Sequence, residues 1–242
     1  MFKRIFNKQI LFGFIFFSMM FSTVFVAIRI FLSPTVADLG EIGVRVKGDY
    51  TLMLIQCIAG TLALLLPSFI SKRLNIVIPS GMIIAYAIFL YCAVYLGEVR
   101  SFYYKVPHWD TILHTFSGAM LGALGLTLIS FLNNTDKISV AISPLFVAIF
   151  TFCFAASLGV IWEIYEFSID CFFHTNMQKY ALENGTQLIG QSALMDTMKD
   201  LIVDCIGALI FSIFGYYSLK RHRGWHDKLV FQRADKLLIN HE

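Results

Sequence analysis

Three short stretches of this sequence set acidic residues, and one histidine, into segments that are otherwise apolar. Asp110 and His114 stand four residues apart, Glu163, Glu166 and Asp170 fall within eight, and Asp196, Asp200 and Asp204 recur at every fourth position. On a helix a four-residue step overshoots a full turn by only about 40°, so each set shares one face. Like charges at that spacing repel. In a membrane segment they are tolerated only where a proton, a base or a metal ion faces them.

An Asp/His pair suits a carboxylate that orients an imidazole, or two ligands of one ion. One histidine with several carboxylates makes a hard-to-borderline ligand set, fit for Mg²⁺, Mn²⁺ or Zn²⁺ and unlike a thiolate site. The same groups could instead pass protons. Plainer roles exist for some of them: Asp110 and Asp196 suit helix starts, with Lys199 as a local partner for Asp196, and Asp170 reads as a solvated exit. No such role covers His114, about one turn inside its segment, or Glu163, about 10 Å deeper than Asp170. Nor does it cover Asp204, about 12 Å beyond Asp196.

The elements that must position these groups are membrane helices. Of 242 residues 57% are hydrophobic and 14% charged, with a mean hydropathy of +0.71, too apolar for a soluble domain. Six runs, 9–32, 50–70, 77–97, 109–132, 140–169 and 196–219, reach the roughly 20 residues that span a bilayer. They are continuous rather than alternating, which predicts helices and excludes a barrel. The fold class is therefore all-α: a polytopic membrane helical bundle of six transmembrane helices, one integral membrane domain over 1–242 with a basic cytoplasmic tail at 220–242. The start, Lys3, Arg4 and Lys8, is charged like a signal peptide, but the run behind it is too long for one and reads as an uncleaved first span. Arg29 is placed to snorkel at its end.

Twelve of the 19 Lys and Arg residues lie at the start, in the second and fourth connections (Lys72, Arg73, Lys137) and in the tail (Lys220, Arg221, Arg223, Lys228, Arg233, Lys236). The first and third connections mix signs, with Asp38, Glu41, Arg45, Lys47 and Asp49, then Glu98, Arg100 and Lys105. Both termini are then cytoplasmic, and the first, third and fifth connections face outward. On that topology the three polar stretches converge on the outer side, and they hold 7 of the 16 acidic residues. The connection 171–195, with His174, Lys179, Glu183 and Asn184-Gly185-Thr186, lies over them as a lid or binding element, His174 reading as a surface residue. Gly118, Gly122 and Gly125 give the fourth span a small face for close helix contact. Pro67, Pro79 and Pro144 mark kinks or boundaries. The five cysteines form no CxxC pair and read as small core hydrophobes, Cys171 excepted as a thiol at an outer surface. The charge pattern does not suggest nucleic acid.

The phrases Trp109-Asp110-Thr-Ile-Leu-His114-Thr-Phe-Ser-Gly118, Trp162-Glu163-Ile-Tyr-Glu166-Phe and Gly190 through Ala208 resemble the YjdF-like bacterial inner-membrane proteins. More distantly, the order Asp-x3-His, then Glu, then Asp-x3-Asp/Asn-x2-Gly is similar to the VanZ-like membrane proteins linked to glycopeptide resistance, Asp204 standing where that pattern often has Asn. It falls on Asp110 and His114, Glu163 or Glu166, and Asp200, Asp204 and Gly207. The resemblance covers mainly residues 100–219 and implies a bacterial inner-membrane location and an envelope setting.

The expected function is an outward-facing acidic/His site that binds a divalent cation and acts, as a hydrolase or transferase, on a lipid-linked or cell-envelope substrate. In it His114, oriented by Asp110, serves as general base or ligand, and Glu163 or Glu166 activates water. His114, Asp200, Asp204 and Glu166 are the expected metal ligands. Two alternatives stay open: a proton- or cation-coupled transporter, and a non-catalytic envelope-binding protein in which the cluster locks helices together.

Overall fold

The computed structural model describes residues 8–35, 45–133, 142–182, 186–221 and 232–233. Several charges read from the sequence, among them Lys3, Arg4, Asp38, Glu41, Lys137, Glu183 and most of the tail, lie outside the described residues.

Helix α1 covers Lys8–Leu32 and α2 covers Lys47–Leu74. The two-residue strand β1 (Ile76–Val77) leads into α3 (Ser80–Leu90), which continues as a π-helical stretch, Tyr91–Val99. A one-turn helix α4 (Phe102–Lys105) precedes α5 (Trp109–Asn133), α6 (Pro144–Phe173) and α7 (Gln191–Lys220). The expected six apolar helices are present, each long enough to cross a bilayer. Their outer surfaces carry exposed Phe17, Phe31, Leu62, Phe69, Ile161 and Phe214, as lipid-facing walls do. The all-α membrane bundle stands.

Several boundaries differ from the expected ones. Extended backbone at Ile76–Val77 delays the third helix until after Pro79, and Pro144 opens α6 at its first position, where Ser143 accepts from the Phe146 N–H. Helix α7 starts at Gln191, so Asp196 stands more than a turn inside and does not cap it. Helix α6 runs on to Phe173, which leaves Asp170 inside the helix and buried rather than at a solvated exit. Pro67 is carried within α2.

Helices α5, α6 and α7 pack on one another, α1 packs on α2, and α3 with its π-helical continuation joins the two groups. The tightest crossing is that of α5 and α7. A Cβ on Gly118 would collide with the Asp204 carbonyl, and one on Gly207 with the Thr115 carbonyl and, at 3.0 Å, the Ala119 nitrogen. The two glycines thus let two backbones touch. Gly122 gives room to Phe211 of the same neighbour, while Gly125 faces Thr151 and Phe154 of α6. Beyond the glycines, Leu126, Ile129 and Val147 close the space between α5 and α6.

The ends of the bundle are distinct. At one, β1 pairs antiparallel with β2 (Gln232–Arg233), bringing the tail beside the α2/α3 connection with its Lys72 and Arg73. At the other, Arg45 of the first connection donates to the Glu98 and Val99 carbonyls at 3.1 and 3.4 Å, and Lys179 of the fifth reaches Asp110 of α5.

Gly207→Ala is expected to lower the unfolding free energy by about 2 kcal/mol, because backbone atoms cannot yield to the new methyl. Gly81→Ala, which faces open space, should leave it unchanged or slightly raised. Thermal unfolding of both variants in detergent, followed by circular dichroism, measures the contrast.

Candidate functional site

The α5/α7 crossing places His114 directly against the aspartates of α7. Its Nδ1 lies 3.3 Å from Asp204 Oδ2, and the other Asp204 oxygen accepts from Ser117 at 2.8 Å. A carboxylate only accepts, so Nδ1–H is the donor of that pair. Nε2 is thereby turned toward Asp110 Oδ1 and Asp200 Oδ2, each 3.7 Å away. From the third wall, α6, Glu163 and Glu166 face the same ring. Gly159 lets α6 approach, since a Cβ there would come within 3.0 Å of Asp204 Oδ2.

Six candidates converge as the sequence predicts. Asp110, His114 and Asp200 can each bring a ligand atom within 4.8 Å of the others, and so can His114, Glu163 and Glu166. His114 belongs to both groups and is the hub. Asp204 belongs to neither; Ser117 and the imidazole hold its carboxylate. The group facing Nδ1 is therefore Asp204, while Asp110 stands on the Nε2 side.

These acids are nearly out of solvent, at 1% exposure for Asp200, 3% for Asp204, 4% for Glu163 and 6% for Glu166. Trp162 Nε1 donates to Glu166 at 2.7 Å. Both Glu163 oxygens and Asp200 Oδ1 are buried with no partner at full hydrogen-bond geometry, although Gln178 and Thr197 lie beside Glu163. Such oxygens are costly to bury unless something positive meets them. Six carboxylates, counting Asp196, are gathered around one imidazole and one lysine.

Sequence reasoning placed that lysine only in the overlying connection and missed its pairing with the acids. Lys179 lies in the α6/α7 connection and pairs with Asp110 and, at 3.3 Å, with Asp196. It also sits 5.5 Å above the Tyr103 ring. The structure pairs Asp196 with Lys179, and the Lys199 charge acts on it as well. Lys179 has a left-handed backbone, φ 50°, uncommon for a side chain of its size. Asp170 pins the first residues of that connection: its carboxylate accepts from Thr175 Oγ1 at 2.6 Å and from the Met177 and Gln178 N–H groups at 2.7 and 2.9 Å. Gln178 Nε2 then reaches Thr197 of α7 at 2.9 Å. Asp170 and the exposed His174, which ends α6 with φ 53°, are thus outside the cluster. A lone Lys in a polar connection carries no periodic signal, so only the fold reveals it.

Residues 17–221 match a family model described as a predicted membrane protein (DUF2238). The chain belongs to this family. An uncharacterized protein of Thermotoga maritima is 30% identical over 112 residues, 46% of this chain and 50% of that protein, so the chain spans about half the length of this relative. No solved structure matches this chain.

Burial works against the Lys179 ammonium, but Asp110 and Asp196 outweigh it and raise its pKa above the usual lysine range. A base raised on folding keeps its stabilising proton through its unfolded pKa and releases it only as pH climbs through the folded value. Lys179→Met should cost about 2 kcal/mol of stability at neutral pH, less than a fully buried pair because 28% of the Lys179 side chain is exposed. The gap between wild type and variant should persist to about pH 10 and close only above it, as read by thermal unfolding across pH.

Proposed function

We propose that this membrane protein binds a divalent cation at the His114 cluster and uses it in a hydrolase or transferase reaction on a lipid-linked or envelope substrate. The observation that carries this reading is a set of buried oxygens without hydrogen-bond partners, on Glu163 and Asp200, around an imidazole whose Nε2 lies 3.7 Å from the Asp110 and Asp200 carboxylates and whose ring can share an ion with Glu163 and Glu166. Oxygen donors with one imidazole nitrogen suit Mg²⁺, Mn²⁺ or Zn²⁺. His114, Asp110 and Asp200 would hold it on the α5/α7 side, with Glu163 and Glu166 across from them. Asp204 would act behind the ligands, fixing the imidazole tautomer.

A bound cation would supply Lewis-acid polarisation of the scissile group and neutralise charge that develops on it. The chain's own residues supply the rest. Glu163, with both oxygens unpartnered, is placed to take a proton from an attacking water or hydroxyl. Glu166 is oriented by Trp162. Lys179 holds Asp110 and roofs the cluster from the α6/α7 connection, limiting the entry of bulk water.

A lipid-linked substrate is supported by what flanks the acids. Exposed Ile161, Trp162, Ile164 and Phe167 on α6, with Leu194, Met198 and Ile202 on α7, bring apolar, lipid-facing surface right up to the carboxylates. An amphiphile could lie along that surface with its polar end at His114. The likeness of these stretches to YjdF-like and VanZ-like proteins fits a bacterial inner membrane and an envelope role. The pairing of tail and α2/α3 connection, with Lys72, Arg73, Lys220 and Arg221 at one end, supports both termini being cytoplasmic and the acids facing outward.

A proton-coupled transporter is less well supported. From the acids toward the basic end, the buried polar side chains of α5, α6 and α7 are Thr127, Thr151, Ser212 and Ser218, none of which titrates. A relay of ionisable groups would therefore stop halfway among the described residues.

Full-length protein in detergent should take up one Mn²⁺ per chain, read as loss of the free-ion electron paramagnetic resonance signal. Glu163→Gln and Asp200→Asn should each weaken it by about 10- to 100-fold, while His174→Asn, away from the cluster, leaves it unchanged. Retained wild-type affinity in both acidic variants, or no uptake at all, would remove the cation from this reading.

A further inference from the structure

At the same end of the bundle as the acidic cluster lies a cavity of about 650 Å³, formed where α1 ends, α2 begins and α3 with its π-helical stretch ends. Arg29, Arg45, Arg100 and Lys105 line it, and no carboxylate does among the described residues. The hydrogen bonds of these cations do not neutralise them. Arg45 donates to the Val99 and Glu98 carbonyls and to Ser101, and Arg29 Nε donates to the Tyr50 hydroxyl at 3.1 Å. Lys105 Nζ donates to the Arg100 carbonyl at 3.3 Å. All of these acceptors are neutral. Glu98, whose backbone helps hold Arg45, is not part of the lining; its carboxylate faces Gln56 and feels the Arg45 charge, leaving Arg29, Arg100 and Lys105 without a carboxylate in the lining.

A second feature points the same way without depending on charge. Ser33 belongs to the lining, is only 6% exposed, and its Oγ has no hydrogen-bond partner. A buried hydroxyl left unpaired carries a free-energy cost that an incoming acceptor would remove. Four cations and one unpaired donor describe a receptor for a compact, multiply charged oxyanion, which guanidinium groups bind in paired, planar fashion.

We propose that this cavity binds a phosphoryl group, presented either on a lipid headgroup or as free phosphate. The site is separate from the acidic cluster: Tyr103, packed against Gly97, and the Glu98 turn stand between the two. The proposal stands whether or not the cluster holds a cation.

The test is titration calorimetry on the full-length protein in detergent, with inorganic phosphate, dihexanoyl phosphatidic acid and dihexanoyl phosphatidylcholine as separate probes. One saturable site is expected for phosphatidic acid, about tenfold weaker in the Arg100→Gln/Lys105→Gln double variant. Both of those side chains are exposed and can be changed without opening the core. Should that variant lose its thermal transition, Arg29→Gln is expected to weaken binding in the same direction. Inorganic phosphate binding as well as phosphatidic acid identifies a soluble anion as the source, and phosphatidic acid alone identifies a headgroup; either supports the proposal. No saturable binding of either anionic probe overturns it. So does an affinity unchanged in the folded variants, or phosphatidylcholine binding as tightly as phosphatidic acid.

Discussion

The contact on which the rest of this protein depends is the backbone approach of α5 and α7 through Gly118 and Gly207. With no side chain at either position, the Asp204 backbone lies against Gly118 and the Thr115 backbone against Gly207. That distance is what lets a short side chain like Asp204 reach both Ser117 and the His114 ring. Spread the helices by the width of a methyl and the imidazole loses the acceptor that fixes its tautomer. Packing and chemistry therefore rest on the same few atoms, and Gly159 repeats the device from α6.

The second constraint is charge. Six carboxylates at one end of an apolar bundle repel, and among the described residues Lys179 and His114 are the cations paired with them. Lys179 acts at the rim, on Asp110 and Asp196, whereas Glu163, Glu166 and Asp200 lie deeper, where two of the three have oxygens without partners. Asp170 shows what a buried carboxylate looks like when the fold satisfies it: three donors within 2.9 Å, all from one connection. The difference between Asp170 and Glu163 separates a structural acid from one held ready for something else.

Much of this was legible in the sequence because membranes enforce it. Runs such as 9–32 and 109–132 must be helices, since no other element satisfies its own backbone in hydrocarbon, and an acid at every fourth residue must form a stripe. His114, Glu163, Glu166, Asp200 and Asp204 could be brought to one end once the Lys and Arg distribution of the connections was added to those two facts. What could not be read were features that arise from the chain turning back. Lys179 has no periodicity to betray it, Asp170 looks like an ordinary helix exit until its connection is seen folded over it, and Asp196 is a cap only if α7 begins where hydropathy rises. It begins five residues earlier because Gly190, with φ 64°, makes the turn. The basic cavity was hidden for a similar reason, its residues coming from positions 29 to 105, which as sequence showed only scattered positive charges.

The lengths of the three site helices act as a ruler. Nineteen residues separate His114 from the end of α5 at Asn133, and nineteen separate Glu163 from the start of α6 at Pro144; twenty separate Asp200 from the end of α7 at Lys220. At 1.5 Å per residue all three lie about 28 to 30 Å from the basic end, close to the thickness of a bilayer's hydrocarbon layer. With the basic end at one edge of that layer, the imidazole and the acids would sit near the other, where hydrocarbon gives way to headgroups. In a thicker bilayer the same carboxylates would be drawn under acyl chains, and in a thinner one lifted into water. Membrane thickness therefore bears directly on how much charge this site can hold.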